Sequence, residues 1–226
     1  MSICVFGDSV AKGIIFDEAR NKYIHLKNSF VNVISQKFNL NVENYARFGC
    51  TVLKGMEILN KHKNELSSFS HTFLEFGGND CDLKWNEISD SPDGEHLPNV
   101  PLPQFEEKYL KMVDIINRAG SVPVMLNLPP LDPERFYKWV STGNSRENIL
   151  KFLGDVNAIY KWQEGYSNAV KKLAQLHGVR FVDIRAAFMK ENPYSDYLCR
   201  DGMHPNEKGH ALISRLLSER NFLLCN

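Results

Sequence analysis

A serine near one end of the chain and a histidine near the other are the residues best suited to covalent chemistry. Ser9 lies in Gly7-Asp8-Ser9-Val10-Ala11-Lys12-Gly13, directly after an apolar run, and His204 lies in Asp201-Gly202-Met203-His204-Pro205-Asn206. A serine hydroxyl becomes a nucleophile when a neighbouring imidazole removes its proton. The two motifs predict acyl transfer through Ser9, with His204 as the base.

The spacing of Asp201 and His204 fits the orientation of such a base. A separation of three residues places both side chains on one side of a turn. The carboxylate can then accept the Nδ1 proton and leave Nε2 free to accept from Ser9. The alternative is a surface turn that begins the last helix, with Asn206 as its cap. His210 is a weaker candidate base because it falls inside that helix.

Two further segments supply donors for an oxyanion. Gly49, in Ala46-Arg47-Phe48-Gly49-Cys50-Thr51, lets a backbone N–H approach a ligand without a Cβ in the way. Asn79, in Phe76-Gly77-Gly78-Asn79-Asp80, can aim an uncharged NH2 group at a carbonyl oxygen. The N–H of Ser9 makes a third donor. Each segment alone is also typical of an ordinary turn or cap, but together they supply every group that acyl transfer requires.

Short apolar runs indicate the strands that must position these residues. The runs are Ile3–Phe6, Val42–Tyr45, Thr72–Phe76, Val122–Leu128 and Val179–Ile184. Segments of helical period lie between them and after them, at Ser29–Phe38, Thr51–His62, Phe105–Ala119, Asn148–His177 and Asn206–Phe222. This alternation predicts an α/β sandwich around a parallel sheet with helices on both faces. Ligands of such sheets bind beyond the carboxyl ends of the strands.

Two connections are too long to be simple linkers, and loops of this length inside a compact domain are usually functional or disordered. They span Cys81–Pro101 and Pro129–Arg146, and their aromatic content disfavours disorder. We expect them to wall an acyl pocket. The candidate substrate contacts are Asp8, Trp85, Phe136, Tyr137 and Trp139, while Asp82, Glu95 and His96 are polar loop residues suited to a hydroxylated substrate. The alternative is that the aromatic residues only anchor the loops.

Bulk composition limits the classes of partner. The chain has 226 residues, which suits one compact domain. Lys and Arg number 27, as do Asp and Glu, so the formal net charge is zero. Nucleic-acid binders normally carry a basic excess on one face, and a balanced charge gives no attraction to anionic membranes. We therefore expect a small-molecule substrate, no nucleic acid and no membrane anchor.

The cysteines and the first residues predict a cytoplasmic protein. Five cysteines, Cys4, Cys50, Cys81, Cys199 and Cys225, are widely spaced and form no C-x-x-C pair. This pattern favours independent reduced thiols over a disulfide framework or a zinc site. Met1 leads straight into an apolar strand without a basic region or a cleavage site, so we expect no signal peptide.

The four motifs, in this order and spacing, resemble those of the SGNH hydrolases, also called GDSL-type esterases and lipases. The matching blocks are Gly7-Asp8-Ser9-Val10, Gly49, Gly77-Gly78-Asn79-Asp80 and Asp201-Gly202-Met203-His204-Pro205. The resemblance implies a three-layer, flavodoxin-like α/β/α sandwich with five parallel strands. It implies one domain over residues 1–226, with loop insertions at about 81–101 and 129–146.

The same resemblance assigns roles to individual residues. It makes Ser9 the nucleophile, Gly49 and Asn79 the oxyanion donors and His204 the base. It also makes Asp201 the third member of the triad and implies no metal or organic cofactor. Val10 stands where the family name has leucine. The second block is the least distinctive of the four, because only Gly49 carries it.

The predicted reaction is hydrolysis of a carboxylic ester through an acyl-enzyme on Ser9, with small esters or carbohydrate O-acetyl groups favoured. A lysophospholipase or lipase, or an acyltransferase, is open on the same motifs. An α/β-hydrolase elbow also nearly fits Gly7–Ala11, but that elbow normally follows several strands. A metallophosphoesterase is remoter, because Asp80 replaces the histidine expected after Gly-Asn. A non-catalytic binder of acylated sugars or lipids would not need the intact Ser9 and His204.

Overall fold

The computed structural model describes residues 1–219, in which strands and helices alternate. The strands are β1 (Ser2–Gly7), β2 (Ile14–Asp17), β3 (Lys22–His25), β4 (Asn41–Asn44), β5 (His71–Glu75), β6 (Val122–Leu126) and β7 (Arg180–Val182). The α-helices are α1 (Ser9–Lys12), α2 (Phe30–Phe38), α3 (Val52–His62), α4 (Trp85–Asp90), α5 (Leu102–Arg118), α6 (Pro133–Val140), α7 (Arg146–Leu153), α8 (Asn157–Leu176), α9 (Ile184–Phe188) and α10 (Glu207–Glu219). Two 3₁₀ helices span Lys63–Ser68 and Tyr194–Tyr197.

Five strands form one parallel sheet in the order β4-β1-β5-β6-β7. This is the strand order of flavodoxin-like sandwiches, and it confirms the predicted fold class. The winding direction reverses between β1 and β5, so a crevice opens beyond their carboxyl ends. Gly7 pairs with Glu75 at that edge. The segments that carry Ser9 and Asn79 therefore leave the sheet side by side.

The residues of β1 show how the sheet fills both cores. Ile3 and Val5 pack with the buried faces of α2 and α10 on one side. Cys4 and Phe6 pack with α3, α5 and α8 on the other side. Successive side chains of a strand point to opposite faces, so an apolar residue is needed at every position. The result is three layers with the sheet in the middle.

The predicted helices are present, with some changes at their ends. Ser29 and Thr51 cap α2 and α3 by accepting backbone N–H groups, as residues of these types commonly do. The predicted segment Asn148–His177 forms two helices, α7 and α8, because Gly154 adopts a left-handed conformation at φ 72° and ends α7. The predicted end of the last helix, at Phe222, lies outside the described residues.

The two long connections are built differently from the loops expected. The first contains α4 and the second contains α6, which begins at Pro133 after the capping residue Asp132. Their apolar side chains form a small third core. Its buried members are Leu83, Ile88, Leu131, Phe136, Tyr137, Val140, Ile149 and Ile159. This core holds both segments in place.

The antiparallel hairpin of β2 and β3 is a feature that the sequence did not predict. Ile14-Ile15-Phe16 and Tyr23-Ile24 are too short to distinguish from loop residues. An isolated two-stranded hairpin is only marginally stable and needs packing from elsewhere. Here Ile15 and Phe16 pack with Cys199, and Phe16 also contacts Trp139. Partners so distant in sequence leave no local signal.

Candidate active site

The Ser9 hydroxyl and the His204 imidazole are in direct contact. Ser9 Oγ lies 2.8 Å from His204 Nε2, the range in which a base can accept a proton. Ser9 is the first residue of α1, and Asp8 caps that helix by accepting the Val10 N–H at 2.8 Å. Ser9 is 6% exposed and His204 is 4% exposed. The pair is therefore largely sheltered from water.

Asp201 orients the imidazole from its other side. Its Oδ2 lies 2.7 Å from His204 Nδ1, and its Oδ1 accepts the backbone N–H groups of Met203 and His204. Burial raises the pKa of Asp201, but the hydrogen bonds and the charge of His204 outweigh burial and bring it below its ordinary value. An ionised Asp201 places the ring hydrogen on Nδ1, so Nε2 is the acceptor that faces Ser9.

A tight loop carries both Asp201 and His204. The Cys199 N–H donates to His204 O at 2.7 Å, and Gly202 adopts a left-handed conformation at φ 77°. Gly202 O accepts the Asp132 N–H at 2.7 Å, and a Cβ on Gly202 would lie 2.7 Å from Phe136 N. Only glycine fits this turn and this approach of backbone to backbone. The second long connection is thereby fixed against the loop.

Of the predicted oxyanion donors, Asn79 lines the same cavity as Ser9, whereas Gly49 is not part of its lining. Asn79 Nδ2 donates to Asp8 Oδ2 at 3.0 Å and has a longer contact, 3.4 Å, with Cys50 O. Gly49 has φ 68°, a conformation that L side chains rarely adopt, although no atom lies within 4 Å of where its Cβ would be. Glycine is therefore required at position 49 by the conformation of the backbone turn, and not because a side chain would clash with a neighbour.

Asp8 also interacts with a buried glutamate at the end of β5. Glu75 is 1% exposed, its Oε2 accepts the Ala11 N–H at 3.1 Å, and its Oε1 has no N–H donor. Burial, and then the charge of Asp8, raise the pKa of Glu75 well above its ordinary value. Burial raises the pKa of Asp8 as well, but the hydrogen bonds that Asp8 accepts from Val10 and Asn79 act to lower it. The directions of these two pKa shifts favour a protonated Glu75 beside an ionised Asp8.

A cavity of about 470 Å³ adjoins Ser9 and His204. Asn79 and Asp8 line it, as do Trp85 and Phe136 of the two long connections. Most of the other side chains in the lining are apolar, among them Leu83, Leu131, Phe152, Leu153, Ile159, Trp162 and Met203. A mainly apolar wall with a few polar groups beside a nucleophile is suited to the apolar part of a substrate.

Tyr137 and Trp139 lie outside the lining of this cavity, although the sequence suggested substrate contact. The Tyr137 hydroxyl donates to Arg146 O at 2.7 Å, which ties α6 to the start of α7. The Trp139 ring packs edge-on against Phe16, with ring centroids 4.9 Å apart. Tyr137 is adjacent to Phe136 on α6 and points in a different direction, whereas Trp139 packs on the β2–β3 hairpin, so both side chains anchor α6.

The polar loop residues also divide. Asp82 and His96 line the cavity, but Asp82 Oδ1 accepts the Trp85 Nε1–H at 2.8 Å. Glu95 is not part of the lining. His210 accepts the Phe30 N–H through Nδ1 at 3.4 Å, and burial lowers its pKa to about 3. His210 therefore supports the start of α2 as a neutral ring and does not contact Ser9.

Two polar residues that interact with the Asp8 and Asp201 carboxylates were missed by the sequence analysis. Glu75 is the only charged residue in the apolar run Thr72–Phe76, and a charge inside a buried strand was a usable signal. Tyr23 donates its hydroxyl hydrogen to Asp201 Oδ2 at 3.0 Å. It had no comparable signal, because the hairpin that carries it was not predicted.

Within residues 1–219, no group of three or more His, Cys, Asp or Glu side chains is arranged to hold a metal ion. A metallophosphoesterase needs such clusters for two metals, and this part of the chain does not offer them. None of the helices in the same part is long and apolar enough to cross a bilayer.

The fold is a flavodoxin-like α/β/α sandwich, and the Ser9, His204 and Asp201 side chains meet at its crevice. The chain belongs to the GDSL-like lipase/acylhydrolase family, whose model matches residues 5–212. This confirms the resemblance found in the four sequence motifs. Membership supports an ester hydrolase of the esterase or lipase type.

One relative and two solved structures are similar to this chain. The chain is 22% identical over 187 residues to "GDSL esterase/lipase CPRD49" of Arabidopsis thaliana, covering 80% of this chain and 66% of that protein, just under two thirds of its length. A lipase/acylhydrolase from Enterococcus faecalis superposes with a TM-score of 0.65 at 20% identity, covering 97% of this chain and 96% of that one. A G-D-S-L family lipolytic protein from Veillonella parvula has a TM-score of 0.65 at 16% identity and covers 100% of both chains. At these identities the structures show a shared fold.

Proposed function

We propose that this protein hydrolyses carboxylic esters through an acyl-enzyme formed on Ser9. The observation that carries the proposal is the 2.8 Å contact between Ser9 Oγ and His204 Nε2, with Asp201 bound to the opposite ring nitrogen. Ser9 Oγ attacks the ester carbonyl carbon while His204 accepts the hydroxyl proton. Asp201 stabilises the imidazolium that forms and keeps the ring in place.

The carbonyl oxygen becomes an oxyanion in this step. Its donors are the N–H groups of Ser9 and Gly49 and the side-chain amide of Asn79. One hydrogen of Asn79 Nδ2 is engaged by Asp8, and the contact of the other with Cys50 O is long. That second hydrogen is the one available for the oxyanion, and Asp8 fixes the direction in which it points.

Three further proton transfers by His204 complete the cycle. The imidazolium first protonates the leaving alkoxide, so the ester C–O bond breaks and the acyl group stays on Ser9. The neutral ring then removes a proton from water, which attacks the acyl carbon and releases the carboxylic acid. The proton returns to Ser9 Oγ through His204, and the enzyme is restored.

The cavity beside Ser9 supports esters with an apolar acyl part as substrates. Small esters and carbohydrate O-acetyl groups, the substrates favoured by the sequence, are the smallest acyl groups that this site would take. A cavity of about 470 Å³ with apolar walls has room for longer chains. We infer an esterase that accepts acetyl groups and also longer acyl chains, which is closer to a lipase than the sequence suggested.

A cytoplasmic location is part of the proposal. Cys4, Cys50, Cys81 and Cys199 are all free and buried. Burial raises the pKa of Cys4 to about 12 and of Cys50 to about 11, so these thiols stay protonated. Unpaired thiols are typical of reducing compartments. Cys225 lies outside the described residues.

Hydrolysis of p-nitrophenyl acetate by wild type and by Ser9→Ala tests the proposal. We expect Ser9→Ala to lose measurable turnover while keeping the wild-type melting temperature. Ser68→Ala removes an exposed hydroxyl far from the cavity and is the matched control, with unchanged turnover. Undiminished hydrolysis by folded Ser9→Ala would remove Ser9 from the mechanism.

A further inference from the structure

We propose that Tyr23 is a positioning residue for the Asp201–His204 pair, acting through Asp201. The Tyr23 hydroxyl donates to Asp201 Oδ2 at 3.0 Å, and the same oxygen lies 2.7 Å from His204 Nδ1. One carboxylate oxygen therefore binds both the imidazole and the phenol. This inference rests on the proposed function, because it concerns how the proposed base is held.

The Tyr23 ring is held in place by its neighbours. Its centroid lies 5.1 Å from that of His204 and 5.2 Å from that of Phe48. On β2, Phe16 pairs with Tyr23 and packs against its ring at 5.3 Å. Trp139 adds a further edge contact at 6.2 Å. Because these contacts already fix the ring, the hydrogen bond from the hydroxyl to Asp201 forms with little loss of side-chain entropy.

The hydroxyl acts as a donor and not as a titrating group. Burial, and then the charge of Asp201, raise the pKa of Tyr23 above its ordinary value, so the phenol keeps its proton. Asp201 Oδ1 is held by two backbone N–H groups, whereas Oδ2 has the imidazole and Tyr23. Removing the phenol leaves Oδ2 with His204 alone. The plane of the Asp201 carboxylate is then held by one hydrogen bond fewer. The negative charge of Asp201 also interacts more strongly with the His204 imidazole.

Other ionisable groups near the pair do not substitute for this hydrogen bond. Cys199 interacts electrostatically with Asp201, and Asp8 and His210 interact electrostatically with His204. Among the residues described, the side chains that hydrogen-bond to Asp201 are those of Tyr23 and His204. Tyr23 is therefore the side chain that distinguishes this Asp–His pair from an isolated one.

The test compares the pH dependence of ester hydrolysis in wild type and Tyr23→Phe. Phenylalanine keeps the ring contacts and removes only the hydroxyl. We expect kcat to fall by about tenfold, the usual scale for a hydrogen bond to a charged group, with KM within about twofold. The acid limb of the plot of kcat against pH should move to higher pH. Without the Tyr23 hydroxyl, the Asp201 charge stabilises the imidazolium more strongly.

A second background separates positioning from packing. In a protein that already carries Asp201→Asn, adding Tyr23→Phe should lower kcat/KM by less than about twofold. The effects of two residues that act through one partner are not additive. The control is Tyr45→Phe, which removes another tyrosine–carboxylate hydrogen bond, to Glu65, away from the site. We expect it to match wild type in rate and pH profile.

The outcomes distinguish this inference from the proposed function. A Tyr23→Phe enzyme with the wild-type kcat and acid limb would overturn the role of Tyr23 while Ser9-dependent turnover still stands. An equal loss from Tyr23→Phe in the wild-type and Asp201→Asn backgrounds would also overturn it. Absence of Ser9-dependent turnover in the wild type would overturn the proposed function, and the inference with it.

Discussion

Asn79 Nδ2 donates a 3.0 Å hydrogen bond to Asp8 Oδ2. The relationship links the second residue of the first motif to the candidate oxyanion donor of the third, across the boundary between β1 and β5. A carboxylate bound to one amide hydrogen sets the direction of the other. Asp8 thus has a role in the proposed site beyond capping α1, because it orients a group that must be in place before the substrate arrives.

Replacing Asn79 with alanine should impair the chemical step. We expect Asn79→Ala to lower kcat by about 10²–10³, the usual loss for one oxyanion donor, with little change in KM. Steady-state kinetics on p-nitrophenyl acetate measure both constants. Asn117→Ala, on the exposed face of α5, is the matched control and should behave as wild type. A change confined to KM would contradict the oxyanion role.

The protonation state of the Glu75 carboxyl can be tested by an isosteric replacement. Because burial and the charge of Asp8 favour the protonated Glu75 carboxyl, Glu75→Gln should preserve its shape and its acceptor for the Ala11 N–H. We expect kcat within about threefold of wild type and a similar free energy of unfolding. Glu75→Ala should cost about 2 kcal/mol or more, because it opens a hole and leaves polar partners unpaired. A Glu75→Gln enzyme as impaired as Glu75→Ala would show that the carboxyl is ionised.

The acyl cavity makes a prediction about chain length. Ala158 lines the cavity at the start of α8, so Ala158→Trp would fill part of it without removing a core side chain. We expect kcat/KM for p-nitrophenyl octanoate to fall by about tenfold or more while that for the acetate changes by less than about threefold. Ala211→Trp, at an exposed position of α10, is the control. Equal losses for both esters would place the acyl chain elsewhere.

His210 predicts a loss of stability in mild acid. Burial lowers its pKa from 6.5 to about 3, so between these values the unfolded chain binds a proton that the folded chain does not. Stability is therefore full above pH 6.5 and falls as the pH decreases toward 3. Between pH 7.5 and 5 this group should cost about 2 kcal/mol in the free energy of unfolding.

Urea unfolding of wild type and His210→Asn at both pH values measures this contribution. Asparagine keeps an acceptor for the Phe30 N–H and removes the titration, so the variant should lose about 2 kcal/mol less between pH 7.5 and 5. The comparison within each protein cancels any constant cost of the substitution. Parallel losses in the two proteins would refute the assignment to His210.

Much of the fold could be predicted from local sequence because the sheet is buried on both faces. Strands such as β1 and β5 need apolar residues at nearly every position, which gives a continuous signal. The hairpin of β2 and β3 has no such signal, because its packing comes from Cys199 and Trp139, far along the chain. Tyr23 was missed for the same reason. The assignment of residues 1–226 to one domain stays a prediction.

Part of the candidate site could likewise be predicted from the sequence, and part could not. Ser9, Asn79, Asp201 and His204 stand in short motifs whose residue types indicate their chemistry, and the structure brings them together, although their catalytic roles stay predictions. The cavity depends on which face of a helix each side chain occupies. Phe136 and Tyr137 are adjacent in sequence, yet only Phe136 lines the cavity. Composition of a connection therefore cannot reveal which of its aromatic residues meet a substrate.

Covalent labelling of the intact protein tests the central claim most directly. A fluorophosphonate phosphonylates a serine only when a base activates its hydroxyl and a preformed oxyanion site accepts the phosphoryl oxygen. After labelling, peptide mass spectrometry should locate one stoichiometric adduct on Ser9, and Ser9→Ala should remain unlabelled. Stoichiometric labelling at another serine, or equal labelling of the Ser9→Ala variant, would contradict the account.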